Sequence, residues 1–113
     1  QVHVLFQPHR YTRTIDCFDE FVTCFDGAAS VVLLPVYAAS EAPVPGADAA
    51  SLAEAVAAAW RQRGADGTAV QFSPRVAEGL AFLQARAVSG DSLLILGAGD
   101  VGAAAQACLE LRS

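Results

Sequence analysis

The sequence predicts an α/β fold, a Rossmann-like three-layer αβα sandwich built on a mainly parallel sheet. Four short apolar runs, at 2–6, 31–36, 69–72 and 92–96, each precede a stretch whose apolar positions recur with helical period. The run 31–36 is apolar on successive residues rather than alternating, as a strand covered on both faces requires. Strands alternating with helices of this length imply right-handed crossovers and helices on both sides of the sheet. The 113 residues suffice for one core, so a single domain spanning 1–113 is expected.

Strand 2–6 is short, apolar and β-branched, and it leads through a polar loop to a helix. The inward face of that helix would carry Ile15, Phe18, Phe21, Val22 and Phe25, with Thr14 as N-cap and Gly27 as the stop. Strand 31–36 is expected to end near Pro35. A loop over 37–47 then reaches a helix over 49–63, capped either by Asp48 or by a Ser51/Glu54 capping box and closed by Gly64. After strand 69–72, Ser73 and Pro74 read as N-cap and first-turn proline of a helix running to about residue 87. Ser89, Gly90 and Asp91 turn the chain into strand 92–96, and an alanine-rich helix over 101–111 completes the pattern. His3 and Trp60 read as structural, Trp60 in the core or on a helix surface.

Composition narrows the function classes. The formal net charge of −5 argues against a general nucleic-acid surface, which needs a clustered basic face. The longest strongly apolar stretch, 31–36, is far short of the roughly 20 residues of a membrane helix, so no membrane partner is expected. Residues 1–8 show no signal-peptide pattern. Cys17, Cys24 and Cys108 form an odd set without metal-ligand spacing. On a helix, Cys17 and Cys24 would stand about 10 Å apart, too far for a disulfide. A soluble, cytoplasmic protein in a reducing compartment fits these features.

The concentrated chemistry lies in residues 6–14, FQPHRYTRT. Residues 1–14 hold His3, His9, Arg10 and Arg13 and no carboxylate, and the chain contains no lysine at all. Guanidinium groups are planar forks of N–H donors, so Arg10 and Arg13 could clamp one carboxylate or phosphate. His9, Tyr11, Thr12 and Thr14 add donors in the same strand-to-helix connection, where a helix N-terminus also favours anions. The plainer reading pairs the two arginines with Asp16, Asp19 or Glu20. Ligands of such sheets gather at the carboxyl ends of the strands, where the loops after Phe6, Val36 and Leu96 would open together.

Three segments, FQPHRYTRT at 6–14, YAASEAPVPGAD at 37–48 and LGAGDVG at 96–102, resemble the C-terminal domain of the Mur ligases of peptidoglycan synthesis. The HRYTR string resembles the branch that adds L-alanine to UDP-N-acetylmuramate. That resemblance implies a three-domain ATP- and Mg-dependent, ADP-forming ligase whose N-terminal UDP-binding and central ATP-binding domains are absent from this chain. It further implies that His9, Arg10 and Arg13 contact the incoming L-alanine, the arginines on its carboxylate, and that no residue here is a nucleophile or base. Ser40 stands where the family usually has glycine, and Ile15 where it commonly has a polar or charged residue. No G-x-x-x-x-G-K-[ST] phosphate loop occurs, nor the family's Asp-Tyr-Gly-His-His-Pro segment. The chain is therefore expected to be a fragment, inactive alone and working with the ligase's other domains.

Gly97, Gly99 and Gly102 fit G-x-G-x-x-G after a strand, yet only eleven residues follow, with no further strand or ribose-binding acid about 20 positions on. Tight turning and helix packing explain them as well. The rival function is nonetheless a stand-alone nucleotide-binding module using GAGDVG, and a regulatory amino-acid sensor is a third. The 37–47 loop is long for an αβ connection, which makes Tyr37 and Glu41 secondary pocket candidates, whereas Asp48 reads as a helix cap.

Overall fold

The computed structural model describes residues 1–38 and 40–96. Among these residues four α-helices and four strands follow in order, with a 3-10 turn at Gly67–Ala69 before β3: β1 (Val2–Phe6), α1 (Tyr11–Asp16), α2 (Phe18–Cys24), β2 (Ser30–Leu33), α3 (Ala49–Gln62), β3 (Val70–Phe72), α4 (Val76–Arg86) and β4 (Ser92–Leu96). The strands form one sheet in the order β3-β2-β1-β4, and every neighbouring pair is parallel. Phe6 lies level with Leu33 on one side and Leu96 on the other, so three strands finish at a common edge.

Successive residues of the two central strands enter opposite layers. Val4, Val31 and Leu33 pack with α3, through Leu52, Val56 and Trp60, and with Phe25; Phe18, Phe21 and Val22 of α2 border the same cluster. Leu5, Val32 and Leu34 pack instead with Leu80 and Leu83 of α4. The period-2 geometry of a strand thus converts a continuous apolar run into two separate cores, giving the three layers. A Cβ at Gly79 would lie 2.9 Å from Val32 Cγ1 and 3.2 Å from Leu5 Cδ1, so the glycine lets α4 approach the sheet closely.

Several expectations are corrected. The helix after the arginine loop starts at Tyr11 rather than beyond Thr14, and it breaks at Cys17 into two short pieces. Thr14 is therefore inside α1 and fully buried, while Ile15 is 43% exposed. Thr14, Phe18, Phe21 and Phe25 recur at helical spacing, which leaves Ile15 about 100° off the inward line. β2 ends at Leu33, earlier than 31–36, although Leu34 still donates its amide to Phe6 O and remains buried. Ser73 does not cap α4: its amide donates to Leu33 O, which keeps it in the sheet, and its hydroxyl donates to Arg75 O. Pro74 consequently precedes the helix. Trp60 is core, at 2% exposure, and Cys17 and Cys24 are free thiols. The expected helix over 101–111, the GAGDVG loop and Cys108 lie outside the described residues.

Asp48 is the N-cap of α3. Its carboxylate accepts from the Ser51 amide at 2.9 Å and the Ser51 hydroxyl at 2.8 Å, bonds that lower its pKa. The Ser51/Glu54 capping box is not used. At the opposite edge of the sheet, His3 is buried between Ser30 Oγ at 2.6 Å and Asp91 Oδ2 at 2.7 Å, and the Val88 amide donates to the same Asp91 oxygen at 3.1 Å. The His3 bond, then the Val88 amide, hold the Asp91 carboxyl at about 2.

Asp48→Ala should lower the unfolding free energy by about 1 kcal/mol in a urea titration, the ordinary cost of losing a helix cap. Asp91 has a folded pKa below its unfolded value, so its contribution is complete above about pH 4 and is lost as pH falls towards 2. Asp91→Asn should therefore be less stable than the parent at pH 6, with the gap narrowing between pH 4 and 2 in the same titration.

Candidate functional site

The loops that follow β1 and β2 are laced together at the carboxyl edge. The Gln7 amide donates to Leu96 O at 3.0 Å, which ties the end of β1 to β4. On the other side, Tyr37 N donates to Pro8 O at 2.8 Å and Arg10 N to Tyr37 O at 2.7 Å, forming an isolated parallel bridge between His9 and Tyr37. The bridge continues β1–β2 pairing past a proline that could donate nothing itself. Side chains reinforce it: Gln7 Nε2 donates to Pro35 O at 3.3 Å, and the rings of His9 and Tyr37 stack at 5.5 Å with a 27° tilt. Two of the three motif segments therefore meet as one structure; the third begins at Leu96 and continues outside the described residues.

Arg10 is the pivot of this loop. As the residue before α1 it has φ 68° and ψ 141°, a left-handed conformation costly for any residue with a Cβ, on the order of 1–3 kcal/mol. Three hydrogen bonds hold it there. Its N–H donates to Tyr37 O, while its carbonyl accepts the Thr14 amide at 3.1 Å and the Thr14 hydroxyl at 2.7 Å. Ser40 in the facing loop also has positive φ, 74°, so serine sits strained where glycine would be relaxed.

The structure brings His9, Arg10 and Arg13 together on one rim, His9 half-buried and both arginines exposed. Among the described residues neither arginine forms a side-chain hydrogen bond or ion pair, and Asp16, Asp19 and Glu20 do not engage them. Two exposed guanidinium forks thus stand three residues apart, beside a histidine stacked on Tyr37, and a guanidinium can take a carboxylate bidentately.

Glu41 has a different place from the one its loop position suggested. Its Oε2 accepts the Thr12 hydroxyl at 2.7 Å and its Oε1 the Thr12 amide at 3.2 Å. α1 has no side-chain cap of its own, and Glu41 supplies one from the facing loop. The Thr12 hydroxyl bond, with smaller help from backbone amides and the Arg10 charge, lowers the Glu41 pKa. Thr12, read in the sequence as one of the donors of this connection, thus has both its amide and its hydroxyl bonded to Glu41. Tyr37 matters chiefly through its backbone and its stacked ring. The strained Arg10 had no signal in the sequence, because its N–H is committed to Tyr37 O in the facing loop.

The Glu41 carboxyl should titrate below its ordinary 4.5 in a carbon-detected NMR pH series, and Thr12→Val should move the midpoint upward. The bond contributes above about pH 4.5 and is lost as pH falls, so the protection of α1 amides, relative to their intrinsic exchange rate, should decrease in acid.

No family model matches the chain. Curated relatives do. It is 44% identical over 109 residues to a UDP-N-acetylmuramate–L-alanine ligase of Acidobacterium capsulatum, covering 96% of this chain and 22% of that protein. It is 46% identical over 110 residues to the ligase of that name from Solibacter usitatus, covering 97% and 22%. It is 50% identical over 111 residues to the one from Anaeromyxobacter dehalogenans, covering 98% and 23%. The chain thus spans under a quarter of the length of these relatives, with the similarity running through both laced loops. On that similarity, the chain belongs to the UDP-N-acetylmuramate–L-alanine ligase family.

Proposed function

We propose that residues 1–113 form the C-terminal, amino-acid-binding domain of a cytoplasmic ligase that joins L-alanine to UDP-N-acetylmuramate in peptidoglycan precursor synthesis. His9, Arg10 and Arg13 hold the incoming amino acid, the two arginines on its carboxylate. The observation that carries this reading is that Arg10 and Arg13 are exposed, with no ion pair among the described residues, at a rim whose backbone is fixed by hydrogen bonds. An arginine pair kept for stability would have used the nearby carboxylates.

ATP and Mg2+ belong to the ligase's central domain, where they would supply the phosphoryl group that activates the muramate carboxyl, with ADP released. Among the described residues no three His, Cys, Asp or Glu side chains converge as a metal set, and no step is assigned to this chain through the metal. What this chain contributes is geometry. With the alanine carboxylate clamped, the amine is aimed at the activated carbonyl, and a bimolecular attack becomes effectively intramolecular. Docking of this domain on the central domain would complete the site and exclude water from the acyl phosphate.

In the full-length ligase, Arg10→Ala and Arg13→Ala should each raise the KM for L-alanine about 10- to 100-fold, the loss expected of a charge-assisted hydrogen bond. The KM for UDP-N-acetylmuramate should stay within about twofold. Steady-state ADP release with each substrate varied in turn measures both, and an unchanged alanine KM in either variant would remove that arginine from the site.

A further inference from the structure

Thr14 occupies a position that hydrophobic packing alone would give to valine. It is the one fully buried side chain of α1, and it heads the inward line that continues through Phe18 and Phe25. Burying a hydroxyl is unfavourable unless it is hydrogen-bonded. Its Oγ1 donates to Arg10 O at 2.7 Å, a shorter contact than the 3.1 Å from the Thr14 amide to the same oxygen. Threonine often bonds back to the carbonyl four residues earlier in a helix. Here the acceptor is the residue before the helix, held at φ 68° and ψ 141°.

A backbone in that region persists only where its surroundings over-determine it. The Arg10 peptide has three restraints, and the hydroxyl of Thr14 is the only one supplied by a side chain. We propose that Thr14 is a positioning residue: its buried hydroxyl holds Arg10 in the strained conformation that aims the guanidinium across the rim. Without it Arg10 relaxes towards negative φ, which swings the Cα–Cβ bond and carries the guanidinium off line. Arg13 lies within α1, so its direction is set by the helix and does not depend on this bond. The inference rests on the proposed role of Arg10 and Arg13 at the L-alanine carboxylate.

The test is a double-mutant cycle on the alanine KM in the full-length ligase, with thermal midpoints recorded for every variant. Thr14→Val, of the same shape without the hydroxyl, should raise the alanine KM about tenfold, and Thr14→Ser should stay within about twofold of the parent. Thr14→Val combined with Arg10→Ala should be no worse than Arg10→Ala alone, whereas its effect should multiply with that of Arg13→Ala. A purely structural threonine predicts instead a lowered thermal midpoint with multiplicative effects in both pairs, and that result overturns the proposal. If Thr14→Val does not fold, Thr14→Ala against Thr14→Ser makes the same comparison of hydroxyl absent and present. An unchanged alanine KM in Arg10→Ala itself would refute the carboxylate assignment rather than the clamp. With Arg10→Ala impaired, an unaffected Thr14→Val refutes the clamp alone.

Discussion

The rim depends on the two backbone bonds that carry β1–β2 pairing past Pro8, from Tyr37 N to Pro8 O and from Arg10 N to Tyr37 O. A strand that simply stopped at Phe6 would leave the following loop free to wander. These bonds set where α1 begins, because the carbonyl of Arg10 receives the first helical amide once its N–H is committed to Tyr37. The start of α1 in turn determines that Thr14 faces the core and Ile15 faces solvent. The orientation of the rim arginines is thus a consequence of sheet extension, transmitted by hydrogen bonds and not by packing alone.

The two edges of the sheet use polar chemistry in opposite ways. At the amino edge His3 bonds both Ser30 and Asp91 in a shielded cluster. At the carboxyl edge backbone bonds tie the loops together, while Arg10 and Arg13 form no ion pair among the described residues. Glu41, one loop away, hydrogen-bonds Thr12, and the Arg10 charge adds only a smaller part to lowering its pKa.

Legibility followed the range of the interaction. The four strands could be read from apolar runs, and α3 from Asp48 and its periodicity, because burial and local capping are written in neighbouring residues. The grouping of His9, Arg10 and Arg13 at one edge was equally readable, since strand ends in a parallel sheet fall together. The cap from Glu41 and the backbone bond that commits Arg10 N–H to Tyr37 were not readable, as each is supplied by a loop roughly thirty residues away. Ser73 shows the converse failure: a sequence pattern that suits a helix cap was overridden because its amide belongs to the sheet.

The strand order β3-β2-β1-β4 also bears on how the chain is made. β1 is central in the described sheet, yet Val2 pairs with Ser92, at the far end of those residues. At about 5–20 residues per second of synthesis, one side of β1 waits roughly 5–20 s for its neighbour to be made. Throughout that interval its unsatisfied amides and carbonyls form an open sheet edge, the surface most prone to pairing with the wrong chain. The topology that gathers the functional loops therefore places a hazard of misassembly at β1, during translation rather than after it.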